Sequence, residues 1–168
     1  MSAAEARRSE VAAEAADPAI PLAPTRWLPP QLFLLYGLAG VVFHFAVRGP
    51  LVLRLRWPGG ALLVIGAALT LWGAHTVLHS GTTILPYRRT TALVERGPFR
   101  LTRNPMYLGM VVMLLGSALA LGTVGPWFVA VALLATLQWR FVRHEERALE
   151  YALGAPYRAY KRRVRRWL

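Results

Sequence analysis

The sequence predicts an all-α integral membrane protein of about four transmembrane helices, the last two joined as a helical hairpin. Three observations predict it. First, only 17% of the 168 residues are charged, against about 25% in a soluble domain. Four of the eight acids (Glu5, Glu10, Glu14, Asp17) lie in the first seventeen residues, which leaves Glu95, Glu145, Glu146 and Glu150 for the rest. So few acids cannot cover a water-facing globule, but they suit a chain in lipid. Second, the chain carries four long apolar runs with almost no polar face, which rules against a soluble bundle. Third, its basic residues are strongly segregated between alternate loops.

The four runs follow in order. The first, 31–47, lies between the Pro29, Pro30 pair and Arg48, Gly49, Pro50. The second, 61–78, is opened by Pro58, Gly59 and Gly60. Pro105 opens the third, 106–121. The fourth, 126–142, starts on Pro126, where a missing N–H costs nothing. At ~1.5 Å per residue each spans roughly 24–27 Å, slightly short of a ~30 Å hydrocarbon core. Trp27, Trp57, Trp127 and Trp139 extend them into the interface. Only Gly122, Thr123, Val124 and Gly125 separate the last two runs, so these helices form a tight antiparallel hairpin.

Net charge is +12, with Lys161 the single lysine among twenty basic residues. Those residues flank apolar runs instead of lining a polar face, so anionic lipid headgroups, not nucleic acid, are the expected counter-charge. Three lie before the first run, three in 48–58, five in 80–104 and nine after residue 139. With four spans, seventeen fall on one side and three on the other. The positive-inside rule puts the N-terminus, the 80–104 loop and the C-terminus in the cytoplasm, as in a bacterial-type inner membrane. Residues 1–26, Ala- and Glu-rich with no apolar core, read as a flexible cytoplasmic tail and not as a signal peptide. The absence of cysteine excludes disulfides, thiolate metal sites and cysteine nucleophiles.

Three features on that side could carry chemistry. Gly97-Pro98 and Asn104-Pro105 are turn signals, with Asn104 a good N-cap and Pro105 at N1. The N–H groups of that helix start, with Arg103, would suit a carboxylate, and Tyr107 lies one turn in. Arg103 and Tyr107 are both expected at the membrane interface. Next comes Arg143, His144, Glu145, Glu146, Arg147. Adjacent carboxylates point about 100° apart on a helix. Glu146 is expected to pair with Arg143 or on the polar side near Glu150, which leaves Glu145 for a cationic ligand. Finally, Trp72, His75 and His79 share a face of the second run. His44, in the first run, reads as a hydrogen bond between helices. No group of metal ligands is expected.

The run Arg103, Asn104, Pro105, Met106, Tyr107, Leu108, Gly109 is similar to the RHPxYxG motif of the isoprenylcysteine carboxyl methyltransferase and phospholipid N-methyltransferase superfamily. Glu145-Glu146 and the tail Leu153, Gly154, Ala155, Pro156, Tyr157, Arg158, Ala159, Tyr160, Lys161 resemble its later Glu pair and FGxxYxxY pattern. Thr82 to Pro86 and Leu93 to Phe99 match its loop, so the resemblance covers about 79–168. It implies a transmembrane methyltransferase domain over 27–168 and a cytoplasmic pocket for S-adenosylmethionine. It implies cofactor contacts from Leu93, Val94, Phe99, Asn104, Pro105, Met106, Tyr107 and Glu145. Catalytic roles fall to Arg103, Tyr107, Arg143 and Glu146, and substrate contacts to Arg140, Arg143 and His79. The acceptor implied is lipidic or prenylated, carboxylate-like or phospholipid amine-like. Asn104 replaces the motif's histidine and cannot titrate, which argues for binding and against a base. The family's substrate-side arginine has two counterparts, Arg140 and Arg143. No GxGxxG run is present, which excludes the soluble Rossmann class. The rival reading is a haem or quinone electron carrier built on His44, His75 and His79.

Overall fold

The computed structural model describes residues 28–46, 53–80 and 93–168. The expected N-terminal tail and the 82–86 stretch lie outside them. The fold is all helical: α1 (Pro29–Ala46), α2 (Arg56–Leu78), a 3-10 turn (Gly97–Arg100), α3 (Pro105–Leu121) and α4 (Val124–Leu137). A π-helical turn (Gln138–Val142) then carries α4 directly into α5 (Arg143–Leu153), and α6 (Ala155–Arg163) closes the order. α1, α2 and the continuous helix Val124–Leu153 are long and apolar enough to cross a membrane, while the 17-residue α3 is shorter.

Two boundaries differ by five residues or more from those the apolar runs predict, and the rest by one or two. The second helix starts at Arg56, so Pro58, Gly59 and Gly60 lie inside its first turns. Proline is tolerated there because the first N–H groups of a helix have no carbonyl to bond. The fourth helix does not stop at 142 but continues to Leu153. The tight hairpin is present but shorter than expected, because α4 starts at Val124 and leaves only Gly122 and Thr123 between the helices. Gly122 ends α3 at φ 75°, a left-handed conformation suited to glycine, and its N–H bonds Ala118 O at 2.8 Å.

Packing order is α2 on α3, α3 on α4 and α4 on α1. The α2–α3 contact is backbone to backbone. Gly59, Gly66 and Gly73, seven residues apart, face Gly116, Gly109 and Met106 of α3 in turn. A Cβ on Gly66 would stand 2.6 Å from Gly109 O and 2.8 Å from Met113 N. Small residues at such crossings let helices approach where lipid supplies no hydrophobic drive. α1 is tied to the hairpin by Tyr36 Oη to Thr136 Oγ1 (2.8 Å) and by His44 Nδ1 to Thr123 Oγ1 (2.9 Å). The core runs down the hairpin through Met110, Leu114, Leu133, Leu137 and Phe141. Outward faces are apolar and exposed, as at Leu38, Val64 and Phe128.

Candidate functional site

The site is built at the end of the bundle where α2 finishes and α3 begins. Gly97, at φ 59°, turns the chain against Thr76 and Trp72 of α2. The 3-10 turn then leads to Asn104, which precedes α3. Asn104 holds the N-cap position, but its side chain makes no capping bond to the helix. Its Nδ2 donates instead to Arg166 O at 2.9 Å, beside Thr102 Oγ1, which donates to the same carbonyl at 3.0 Å. The carboxylate seat expected at this helix start therefore has the C-terminal tail packed across it.

Arg103 is buried among groups of the protein itself, its side chain 9% exposed. Nη2 meets Glu146 Oε1 at 2.7 Å, while Nη1 donates to Lys161 O and Val164 O at 3.0 Å each. Arg166 completes the set, with Nε to Oε1 at 2.9 Å and Nη2 to Oε2 at 2.6 Å. Glu146 thus pairs with Arg103 and Arg166 rather than with Arg143, and Glu150 pairs with Lys161 at 2.8 Å. Arg166 is held further in its charged form by its bond to Glu146.

Glu145 takes a different direction. Its Oε1 accepts a 2.6 Å bond from Tyr107 Oη, and among the described residues no cation forms an ion pair with it. Two consecutive carboxylates are thereby divided: one is closed by two guanidiniums, the other meets a neutral hydroxyl. The split follows from the ~100° between neighbours on a helix. The π turn just upstream adds about one residue of register and sets which carboxylate faces which partner. Tyr107 is itself buried in the hairpin core beside Phe141, at 6.4 Å between ring centroids.

The remaining expected residues divide. Pro105 is buried at the start of α3, and Met106 packs on Gly73, its carbonyl accepting from Thr70 Oγ1 at 3.3 Å. Leu93 and Val94 line an open groove of about 800 Å³ with Arg96, Arg100 and Tyr160. Phe99 meets Tyr160 through its carbonyl, which accepts the phenol at 2.7 Å. Burial pushes that phenol up to about 12, so it stays a donor. Arg140 is exposed on the π turn, and Arg143 stacks over the Trp139 ring at 4.3 Å. His79 ends α2 with Nδ1 donating to His75 O at 3.0 Å, and the two imidazoles stack at 4.0 Å. His44 lies by Thr123 at the far end of α3, ~25 Å from Pro105 along a 17-residue helix, so the three histidines cannot hold one group together.

Sequence reasoning missed Thr102, Gln138, Tyr160, Arg166 and Trp167. The tail's arginines read as membrane-facing charge, yet Arg166 turns inward and Trp167 Nε1 donates to Gln138 Oε1 at 2.9 Å. One signal was available: Glu146, one of only four acids beyond the tail, had to find cations somewhere.

The pattern of the phospholipid methyltransferase family matches residues 55–155, from the start of α2 to α6. An uncharacterized protein of Haemophilus influenzae is 36% identical over 63 residues, covering 38% of this chain and all of that protein. No solved structure matches the chain. With the matched region spanning more than half of its residues, the chain belongs to the phospholipid methyltransferase family, whose members are membrane methyltransferases.

Proposed function

We propose that the chain transfers a methyl group from S-adenosylmethionine to a lipidic acceptor at the cytoplasmic membrane face. The observation that carries the reading is the Glu145–Tyr107 pair, a half-buried carboxylate with one neutral donor. Such a group fits the cofactor's ammonium, which would supply the missing cation. When bound, S-adenosylmethionine supplies an electrophilic methyl on a sulfonium. Methyl transfer is an in-line displacement, so the chain's task is to hold donor and acceptor in line and keep water out.

Glu145 and Tyr107 would bind the amino-acid end of the cofactor. The groove of Leu93 and Val94 is of a size for its remainder, the nucleoside. Phe99, Asn104, Pro105 and Met106 would shape the wall between. Arg103 and Glu146 would position these groups and not touch the reacting atoms, since each is spent on the other, on Arg166 or on backbone. Arg140 and Arg143 sit where a lipid phosphate or carboxylate could approach sideways.

Family membership favours a phospholipid amine over an isoprenylcysteine-like carboxylate as acceptor. An amine must lose its proton before its lone pair can attack. Glu146 has both oxygens bonded to arginine and Tyr107 gives its proton to Glu145. His79 is left as the base: its Nδ1–H is held by His75 O, so Nε2 carries the accepting lone pair.

Calorimetric titration with S-adenosylhomocysteine tests the carboxylate. Glu145→Gln should weaken binding about ten- to hundredfold, the cost of a lost charge-assisted contact. Glu150→Gln, at an exposed ion pair with Lys161, should stay within about twofold. Equal losses would remove the assignment.

The proposed unit is a 27–168 methyltransferase domain with four spans, α3 included, and both ends cytoplasmic. A cysteine replacing Leu168 should resist an impermeant thiol reagent in intact cells, whereas one at Thr123 should be labelled. The cysteine-free sequence gives no background. Labelling at 168 in intact cells would reverse the orientation and remove access to a cytoplasmic cofactor.

A further inference from the structure

Residues 164–167 follow α6 and cross back over the site, and each of the four contributes a bond to it. Val164 O accepts from Arg103 Nη1, and Arg165 O accepts the Arg103 backbone N–H at 3.0 Å. Arg166 O takes both Thr102 Oγ1 and Asn104 Nδ2, while its guanidinium grips Glu146 through two bonds. Trp167 donates to Gln138 in the π turn and packs against the hairpin core. Four consecutive residues thus join the motif loop, the π turn and α5.

Joining these three has a physical consequence. α5 extends beyond the apolar part of the long helix, and a π turn interrupts the regular α-helical ladder that carries it. Its rotation must therefore be fixed from outside. Glu146 is 6% exposed, and a carboxylate so buried is directed by the cations that satisfy it. With Glu146 fixed between Arg103 and Arg166, Glu145 must point about 100° away, which is toward Tyr107.

We propose that residues 164–167 are a clamp that sets the rotation of α5 and so keeps Glu145 as the carboxylate open to ligand. Arg166 and Trp167 are positioning residues in it, since Arg166 holds Glu146 and Trp167 holds Gln138, and both act on Glu145 through the helix they anchor. The clamp's effect on ligand binding rests on the methyltransferase reading, while its effect on α5 does not.

The test uses the full chain in detergent and compares Arg166→Gln, Arg166→Lys and Trp167→Phe with wild type. Arg162→Gln, at an exposed position of α6 outside the clamp, is the control. Amide hydrogen exchange reads the clamp directly, and titration with S-adenosylhomocysteine plus turnover reads its consequence. In Arg166→Gln, exchange should rise in 102–104 and 143–150 while α1 and α2 keep their protection. Affinity for S-adenosylhomocysteine should fall about tenfold or more, with the donor KM rising by a similar factor and kcat changing less than about threefold. Arg166→Lys, which keeps the charge but loses the two-pronged fork, should recover part of the loss. Arg162→Gln should match wild type.

Unchanged exchange in 143–150 with Arg166→Gln, or protection lost equally in α1 and α2, would overturn the clamp. If Arg166→Gln does not fold, Trp167→Phe decides. It removes one hydrogen bond and keeps a smaller aromatic ring at the position, and should raise exchange around 138–150 and weaken binding about two- to fivefold. Wild-type exchange there would again overturn the proposal. If wild type itself binds no S-adenosylhomocysteine, the methyltransferase reading fails and the exchange results still decide the clamp.

Discussion

Gly66→Ala should lower the apparent melting temperature in detergent by roughly 10 °C, and Gly66→Leu should prevent assembly of the bundle. The added Cβ would meet Gly109 O at 2.6 Å and Met113 N at 2.8 Å, both backbone atoms of α3 that cannot rotate away. Relief requires the two helices to separate along their whole contact, undoing the crossing at Gly59–Gly116 as well. Overpacking costs typically about 1–3 kcal/mol and more where backbone must move. At ~2–4 °C per kcal/mol for a chain of this size, a loss of ~3 kcal/mol gives the shift stated. Gly60 supplies the comparison: nothing lies within 4 Å of its Cβ position. Gly60→Ala should be neutral or slightly stabilising, because alanine is the better helix former by about 1 kcal/mol. Thermal unfolding followed by circular dichroism measures both. Equal stability of the two variants would mean that α2 does not pack on α3 as described.

Much of this architecture is written locally and so could be read from sequence. Apolar runs of sixteen to eighteen residues gave the helices, because length and hydropathy are properties of one segment. The hairpin turn is legible for the same reason: Gly122 directly follows the last residue of α3, and Pro126 stands two residues inside α4. Failures came where a segment's meaning depends on another. Pro58, Gly59 and Gly60 read as a break, yet the glycines serve a helix crossing that exists only once α3 is alongside. The seven-residue repeat of Gly59, Gly66 and Gly73 was in view, but a stripe of small residues names no partner.

The site divides in the same way. That Glu145 and Glu146 cannot share a face is local geometry, and the two do part. Which cation takes Glu146 is not local. Arg143, three residues away, looked sufficient, whereas Arg103 and Arg166 stand 43 and 20 positions away and win by burial. A buried carboxylate needs both oxygens satisfied, and one half-buried arginine stacked on Trp139 does not do that. The π turn was likewise invisible, because nothing in Gln138–Val142 departs from an ordinary helical run.

Arg103→Ala should lose stability and activity together, and Tyr107→Phe should lose activity alone. Removing the Arg103 side chain strips Glu146 Oε1 of one partner and leaves the carbonyls of Lys161 and Val164 unbonded to it. Truncating one member of a buried ion pair costs about 3–5 kcal/mol, because the other charge stays desolvated. The loss should appear as a lower melting temperature and less folded protein. Arg103→Lys should recover little, since an ammonium cannot reach a carboxylate and two carbonyls in the planar arrangement of a guanidinium. Tyr107→Phe keeps the ring that packs beside Phe141 and removes the oxygen that donates to Glu145 at 2.6 Å. Its melting temperature should stay within about 3 °C of wild type. Methyl transfer per folded molecule should fall about tenfold or more, because Glu145 is then no longer aimed by its donor. Turnover on a phospholipid acceptor, normalised to folded protein by size-exclusion chromatography, separates the two effects. Full turnover in Tyr107→Phe would show that the Glu145–Tyr107 pair is packing and not a ligand site. The cofactor assignment would then have to move to the arginine-lined groove of Leu93 and Val94.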